Sequence, residues 1–339
     1  MSDPSAQLHA ALATALQQME ELLGQPLTLT PKLEVVDDTS FWALIELQAE
    51  GLSIRASTGV VSTLTTFWNA AYASETFLNG AGQPVTAGKD DMIHLSLVWL
   101  MLHELQHFDL NHFDLMGCSF VGETAQSHQF AIASRAPAKP NPLPDLPVSE
   151  LPKVPLCLEL QADHDASELL LDAYSADEWA SLRHRAMAIS AVMMLIERED
   201  AKSAAPLNSH PKAATRIFQL LGHITEMLLI PAQRIAIING FDAIDPDDLP
   251  SNEEQTAYSK DVSIPCFFDA VNLAQVVGAD SIRQDLGEAQ DFFADVGIAK
   301  AFDPAGFDAF KTDGARQWAD LVLFNETLKT YQTLPDGLT

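Results

Sequence analysis

Residues Met92–Asp114 read MIHLSLVWLMLHELQHFDLNHFD, and the rest of the chain is best understood outward from them. A largely apolar run, Met92–Leu102, ends in His103, Glu104, Leu105, Gln106 and His107. On an α-helix two residues four apart lie about 40° apart around the axis and one turn apart along it. His103 and His107 can therefore aim two imidazoles at one metal ion, with Glu104 beside the first. A carboxylate so placed is positioned to take a proton from a metal-activated water. Asp90 or Asp91 can cap the start of this helix, where negative charge is favourable.

The remaining ligand is sought downstream. Cys157–Ala166 reads CLELQADHDA, which places Glu159 and Asp163 four apart on a second helix. Glu159 completes a His-His-Glu set and leaves one position of tetrahedral zinc open. Asp163, one turn on, can accept a hydrogen bond from the free ring nitrogen of a ligand histidine and fix its tautomer. The competing reading of Glu159 and Asp163 is a solvated acidic face, since His164, Asp165 and Glu168 follow. For His103, Glu104 and His107 it is a buried polar cluster, which is costly without a metal or partners. His112 lies about 140° from His107 on a continuing helix, so it is expected to face away from the metal, as a structural or rim residue. His94 falls on the opposite face and reads as a satisfied core histidine.

Upstream, Ser5–Leu23 is patterned as an amphipathic helix stopped by Gly24. Leu27–Val36, Phe41–Gln48 and Leu52–Ala56 read as three strands, and Ser62–Phe77 as a second helix. Downstream, seven prolines within Arg135–Pro155 exclude helix and central strand, which predicts a surface excursion. Cys157–Tyr174, Asp177–Glu199 and Pro211–Ile230 read as helices, with Met193 and Met194 in the core. Asp245–Ser259 reads as a linker, followed by helices at Ile264–Val277, Ser281–Phe293 and Ala315–Tyr331. The expected fold class is α+β, a small twisted sheet followed by the active-site helix and a mainly helical C-terminal half. Two regions are expected, 1–245 and an acidic, mainly helical 246–339 that could dock a protein partner.

Composition narrows the partners. The 339 residues are 47% hydrophobic, enough for a sizeable core. The net charge of -28, from 47 acidic and 19 basic residues, argues against nucleic acid and anionic membrane surfaces. Cys118, Cys157 and Cys266 have no metal-like spacing and read as free buried thiols of a reducing compartment. The N-terminus lacks the pattern of a signal peptide, and no run of apolar residues looks long enough for a membrane span. A cytoplasmic protein is the expectation.

A third motif, SHPKAATR at Ser209–Arg216, completes a series. HELQH (103–107), ELQAD (159–163) and SHPKAATR, in that order, resemble the gluzincin zinc metallopeptidases. The closest resemblance is to the HtpX and CAAX-prenyl endopeptidase group and its soluble relatives, the minigluzincins. The phage-exclusion peptidases of the Lit type resemble it too, and share a further histidine matched here by His112. The resemblance spans roughly residues 52–238. It implies a zincin-like fold and Zn2+ bound by His103, His107 and Glu159, with Glu104 as general base and Asp163 supporting a ligand histidine. His210 would stabilise the oxyanion or orient the peptide, and Arg216 would lie near the substrate. Two readings compete for these last residues: His210-Pro211 suits a plain helix start, and Arg216 a structural ion pair. From the resemblance and its position before the helix, the strand Leu52–Ala56, with Ile54 and Arg55, is the candidate edge for an extended peptide. Peptide-bond hydrolysis is the expected activity. Its rivals are a catalytically silent zincin-like binding or regulatory module, and a defence or toxin effector that cleaves one host protein. Most members of the prenyl-endopeptidase group are membrane-embedded, so their substrates are not carried over.

Overall fold

A computed structural model of the chain describes residues 3–48, 51–116, 120–122, 143, 145–172, 174–202, 210–241 and 243–331. In chain order these form α1 (Pro4–Leu23), β1 (Lys32–Val36), β2 (Ala43–Gln48), β3 (Gly51–Ser57), α2 (Thr58–Tyr72), α3 (Glu75–Asn79), α4 (Lys89–Asp109), α5 (His112–Met116) and β4 (Phe120–Gly122). There follow α6 (Lys153–Leu171), α7 (Trp179–Asp200), α8 (Ala213–Glu226), α9 (Ile230–Ile238), α10 (Asn252–Tyr258), α11 (Ile264–Val276), α12 (Asp280–Leu286), α13 (Ala289–Ala301) and α14 (Asp313–Lys329). Helix dominates, with one small mixed sheet, so the class is α+β in the general sense.

The helix α4 is the centre of the molecule. It packs against α1, α2, α6, α7 and β2, and its residues from Ser96 to His107 are all buried. A helix covered on every side has no reason to be amphipathic, which explains the unbroken apolar run before His103. Its N-terminus is capped differently from the sequence expectation. Gly88 is the cap residue, and Asp91 reaches back from the first turn to accept the Gly88 N–H at 3.2 Å.

The sheet order is β1-β3-β2-β4. β3 pairs in parallel with β1 and antiparallel with β2, so it is an inner strand. This overturns the expectation that Leu52–Ala56 offers an edge to a peptide: its backbone groups on both sides are already paired. Ile54 is fully buried, and Arg55 ion-pairs with Glu34 on β1 and Glu46 on β2. Nor does the sheet wholly precede α4. β4 follows it and pairs antiparallel with β2, setting Ile45 opposite Val121.

Other boundaries move for local reasons. Pro155 falls inside the first turn of α6, where a missing N–H costs nothing; Arg135–Pro142 and Pro144 of the proline-rich stretch lie outside the described residues. Within Asp245–Ser259, Asn252–Tyr258 is helical, started by Ser251 and Glu254 in a reciprocal capping box. The expected helix Ser281–Phe293 is broken at Gly287, whose φ of 72° ends α12 before α13 begins. Before Pro231 the α-helical hydrogen bonding gives way to a 3-10 turn, Met227–Leu229, and Pro231 falls in the first turn of α9, while Ala213–Ile238 stays helical throughout. That run, with mean hydropathy 1.2 in its best window, is long and apolar enough to cross a membrane by length and composition, contrary to the sequence expectation. Its first half is nonetheless core helix, carrying the buried Arg216.

One hydrophobic cluster runs from Leu8 to Ala319. The regions anticipated on either side of residue 245 therefore share a core. A second cluster joins Leu143, Leu146, Val154 and Leu158 to Leu321, Phe324 and Leu328 of α14.

Candidate metal centre

α4 and α6 pack side by side and bring three ligating atoms together. His103 Nε2 lies 3.2 Å from Glu159 Oε2, His107 Nε2 lies 3.4 Å from Glu159 Oε1, and the two Nε2 atoms are 3.3 Å apart. A tetrahedral ion with ligands at about 2.0–2.1 Å sets its donors about 3.3 Å apart. The spacing is thus that of a coordination sphere.

The surrounding hydrogen bonds decide which nitrogens face inward. His103 Nδ1 is 3.0 Å from Asp163 Oδ1, which favours a proton on that nitrogen and turns Nε2 toward Glu159. His107 Nδ1 is 2.8 Å from His112 Nδ1, and His112 Nε2 is 2.9 Å from Gln161 Oε1. With the Gln161 carbonyl accepting from His112 Nε2–H, His112 Nδ1 must accept from His107 Nδ1–H, and His107 Nε2 is left bare. Gln161 in turn donates to Asn325 Oδ1 at 2.6 Å, which carries the chain of bonds onto α14. Burial, opposed by the Gln161 bond, lowers the His112 pKa to about 4 and keeps that ring neutral. The His107 pKa is pushed well down, by burial first and by the neighbouring histidines.

His112 is thus no bystander. α4 ends at Asp109 and Asn111 takes a left-handed turn with φ 57°, so the helix on which His112 would have faced away does not continue. The chain doubles back and buries His112 completely against His107. His94, by contrast, is a half-buried residue whose Nε2 lies 3.3 Å from Thr14 Oγ1.

Asp163 has a second partner. Arg216 grips its carboxylate with Nε to Oδ2 and Nη2 to Oδ1, both at 2.6 Å. Arg216 is 1% exposed and lies 5.9 Å over the Trp99 ring, so it does not face a substrate. It is the buried ion-pair donor that clamps α8 to α6 and orients Asp163 toward His103. The pair holds Asp163 below the usual carboxylate range against burial.

Glu104 is buried, and its Oε2 has no hydrogen-bond partner among the described residues. Burial pushes its carboxyl up to about 7, with His103 opposing and Glu159 reinforcing. Glu159 shows the opposite outcome: burial would raise it, but His210, His107 and His103 hold it well below the usual range. Burial would also lower His103, yet Asp163 and Glu159 lift it to about 9. In the metal-free chain a proton on His103 stands where a cation would.

His210 closes the group. Its Nε2 is 3.5 Å from Glu159 Oε2 and its Nδ1 is 2.9 Å from Asp200 Oδ2 at the end of α7. Helix α8 begins only at Ala213, so Pro211 is not at the first helical position. Sequence reasoning missed Asp200 and Asn325, which carry no motif and matter only through the packing of α7 and α14, and gave no part to the Gln161 side chain, although Gln161 stands inside ELQAD on α6. No protein-family model, curated protein or solved structure matches the chain.

Proposed function

We propose that the protein is a zinc-dependent endopeptidase of zincin-like, gluzincin type, acting on a peptide or protein substrate in the cytoplasm. The observation that carries the reading is the mutual spacing of His103 Nε2, His107 Nε2 and Glu159, at 3.2–3.4 Å, beside a buried Glu104 oxygen with no hydrogen-bond partner among the described residues. Two imidazole nitrogens and a carboxylate at this spacing match the donor set and donor separations of zinc, so the residues fit that ion.

Zinc held there supplies Lewis acidity, which makes water a nucleophile near neutral pH. Glu104, whose buried Oε2 faces no donor among the described residues, would take the proton of a water held there and return it to the leaving nitrogen. Asp163, held by Arg216, and His112, held by Gln161, keep the two ligand rings in place and in one tautomer. His210, oriented by Asp200, presents Nε2 toward the reacting side, where it can donate to developing negative charge on a carbonyl oxygen.

The test is to incubate the zinc-loaded wild type and Glu104→Gln with cell lysate and map new protein N-termini. The wild type should generate termini that the variant, still holding zinc, does not. Equal cleavage by both would refute the assignment. Zinc binding with no cleavage by the wild type would favour a silent regulatory module, and cleavage of a single protein would favour an effector.

A further inference from the structure

α6 carries a second pair spaced four apart, His164 and Glu168, turned about 100° from Asp163 toward α8. There His223 meets them. The His164 and His223 rings stand edge to face at 83°, with centroids 5.1 Å apart. This is close to the arrangement of His103 and His107, at 89° and 4.8 Å. His223 Nε2 is 4.0 Å from Glu168 Oε1, and a ligand atom from each of the three residues lies within 4.8 Å of the others. The His223 side chain is 10% exposed, and neither ring donates or accepts a hydrogen bond among the described residues. Both rings are partly buried, and their nitrogens have no protein partner among the described residues that would compete with a bound ion. Both rings also line a cavity of about 500 Å³ between α6, α8, α13 and α14, together with Asp165 and Glu226.

We propose that His164, Glu168 and His223 form a second site for a divalent d-block cation such as zinc, distinct from the one built on His103. Two imidazoles and a carboxylate suit that class of ion. The ligands stand slightly wider than a coordination sphere, and Glu168, exposed and at the end of a flexible side chain, is the one that closes. Water from the adjacent cavity completes the sphere. A cation there ties α6, which bears Glu159 and Asp163, to α8, which bears Arg216.

The full chain, stripped by chelator and dialysed against zinc, should bind a second ion per chain that Glu168→Gln and His223→Gln each weaken by roughly tenfold or more. His103→Gln should remove the other ion and spare this one. Glu168 is solvent-facing, so its variant keeps the test open if His223→Gln fails to fold. A second ion held equally in Glu168→Gln and wild type, or no second ion at all, would overturn the proposal. The outcome is independent of the peptidase reading: loss of the His103 site alone leaves the second ion in place.

Discussion

Glu104 is the residue where stability and function pull apart. Its carboxyl is raised from 4.5 to about 7, chiefly by burial. In the metal-free protein the folded state therefore holds a proton between these values that the unfolded chain releases. Stability falls as pH rises from 4.5 to 7 and stays low above that. Glu104→Gln removes the ionising group, so at pH 8 the metal-free variant should be the more stable by about 3 kcal/mol, from 1.36 kcal/mol per unit; equal denaturant midpoints for the two would count against a buried, destabilised carboxylate. At this scale the sequence was largely legible. His103, Glu104 and His107 lie within about one helical turn of one another, as do Glu159 and Asp163, and helical spacing is local; that the two helices pack together is not. Arg216 was not legible, because whether an arginine meets a substrate or a buried aspartate depends on which helix packs opposite.

The segment joining α4 to α5 shows what spacing alone misses. Extrapolating α4 past Asp109 turns His112 away, whereas a single left-handed residue, Asn111, returns it to His107. Asn tolerates that conformation better than most residues, so Asn111→Gly should be nearly neutral and Asn111→Val destabilising by at least about 1 kcal/mol. His112→Leu should weaken zinc binding about 10- to 100-fold by freeing the His107 ring, with His112→Gln recovering part of the loss. Competition with a chromogenic chelator measures both, and unchanged affinity in His112→Leu would mean that His107 is oriented without it. The strands teach the same lesson. The first three were visible from their residues and β4 was not, and the order β1-β3-β2-β4 depends on partners far along the chain, so the inner position of β3 was not legible either.

Across the whole molecule, the helices after residue 245 complete the core that surrounds α4. Arg183 on α7 and Asp269 on α11 form a buried bidentate pair, at 2.8 and 3.0 Å, that joins this region to the rest. Asp269→Asn leaves the guanidinium buried and uncompensated, and should cost about 3–5 kcal/mol in chemical denaturation; a change below 1 kcal/mol would mean that the pair is not what locks the halves together. The division at residue 245 had looked plausible because Asp245–Ser259 is rich in loop-forming residues, but composition does not report what packs beneath a loop. His103 and His107 sit on α4, Glu159, His164 and Glu168 on α6, and His223 on α8, so the shared core is what holds both proposed sets of ligands. The most direct measurement is zinc-edge X-ray absorption on protein carrying its most tightly held zinc ion. Two nitrogen donors and a carboxylate oxygen at about 2.0–2.2 Å, lost together in His103→Gln, are the predicted result. A chain that retains no zinc after dialysis, or holds it unchanged in His103→Gln, would contradict it.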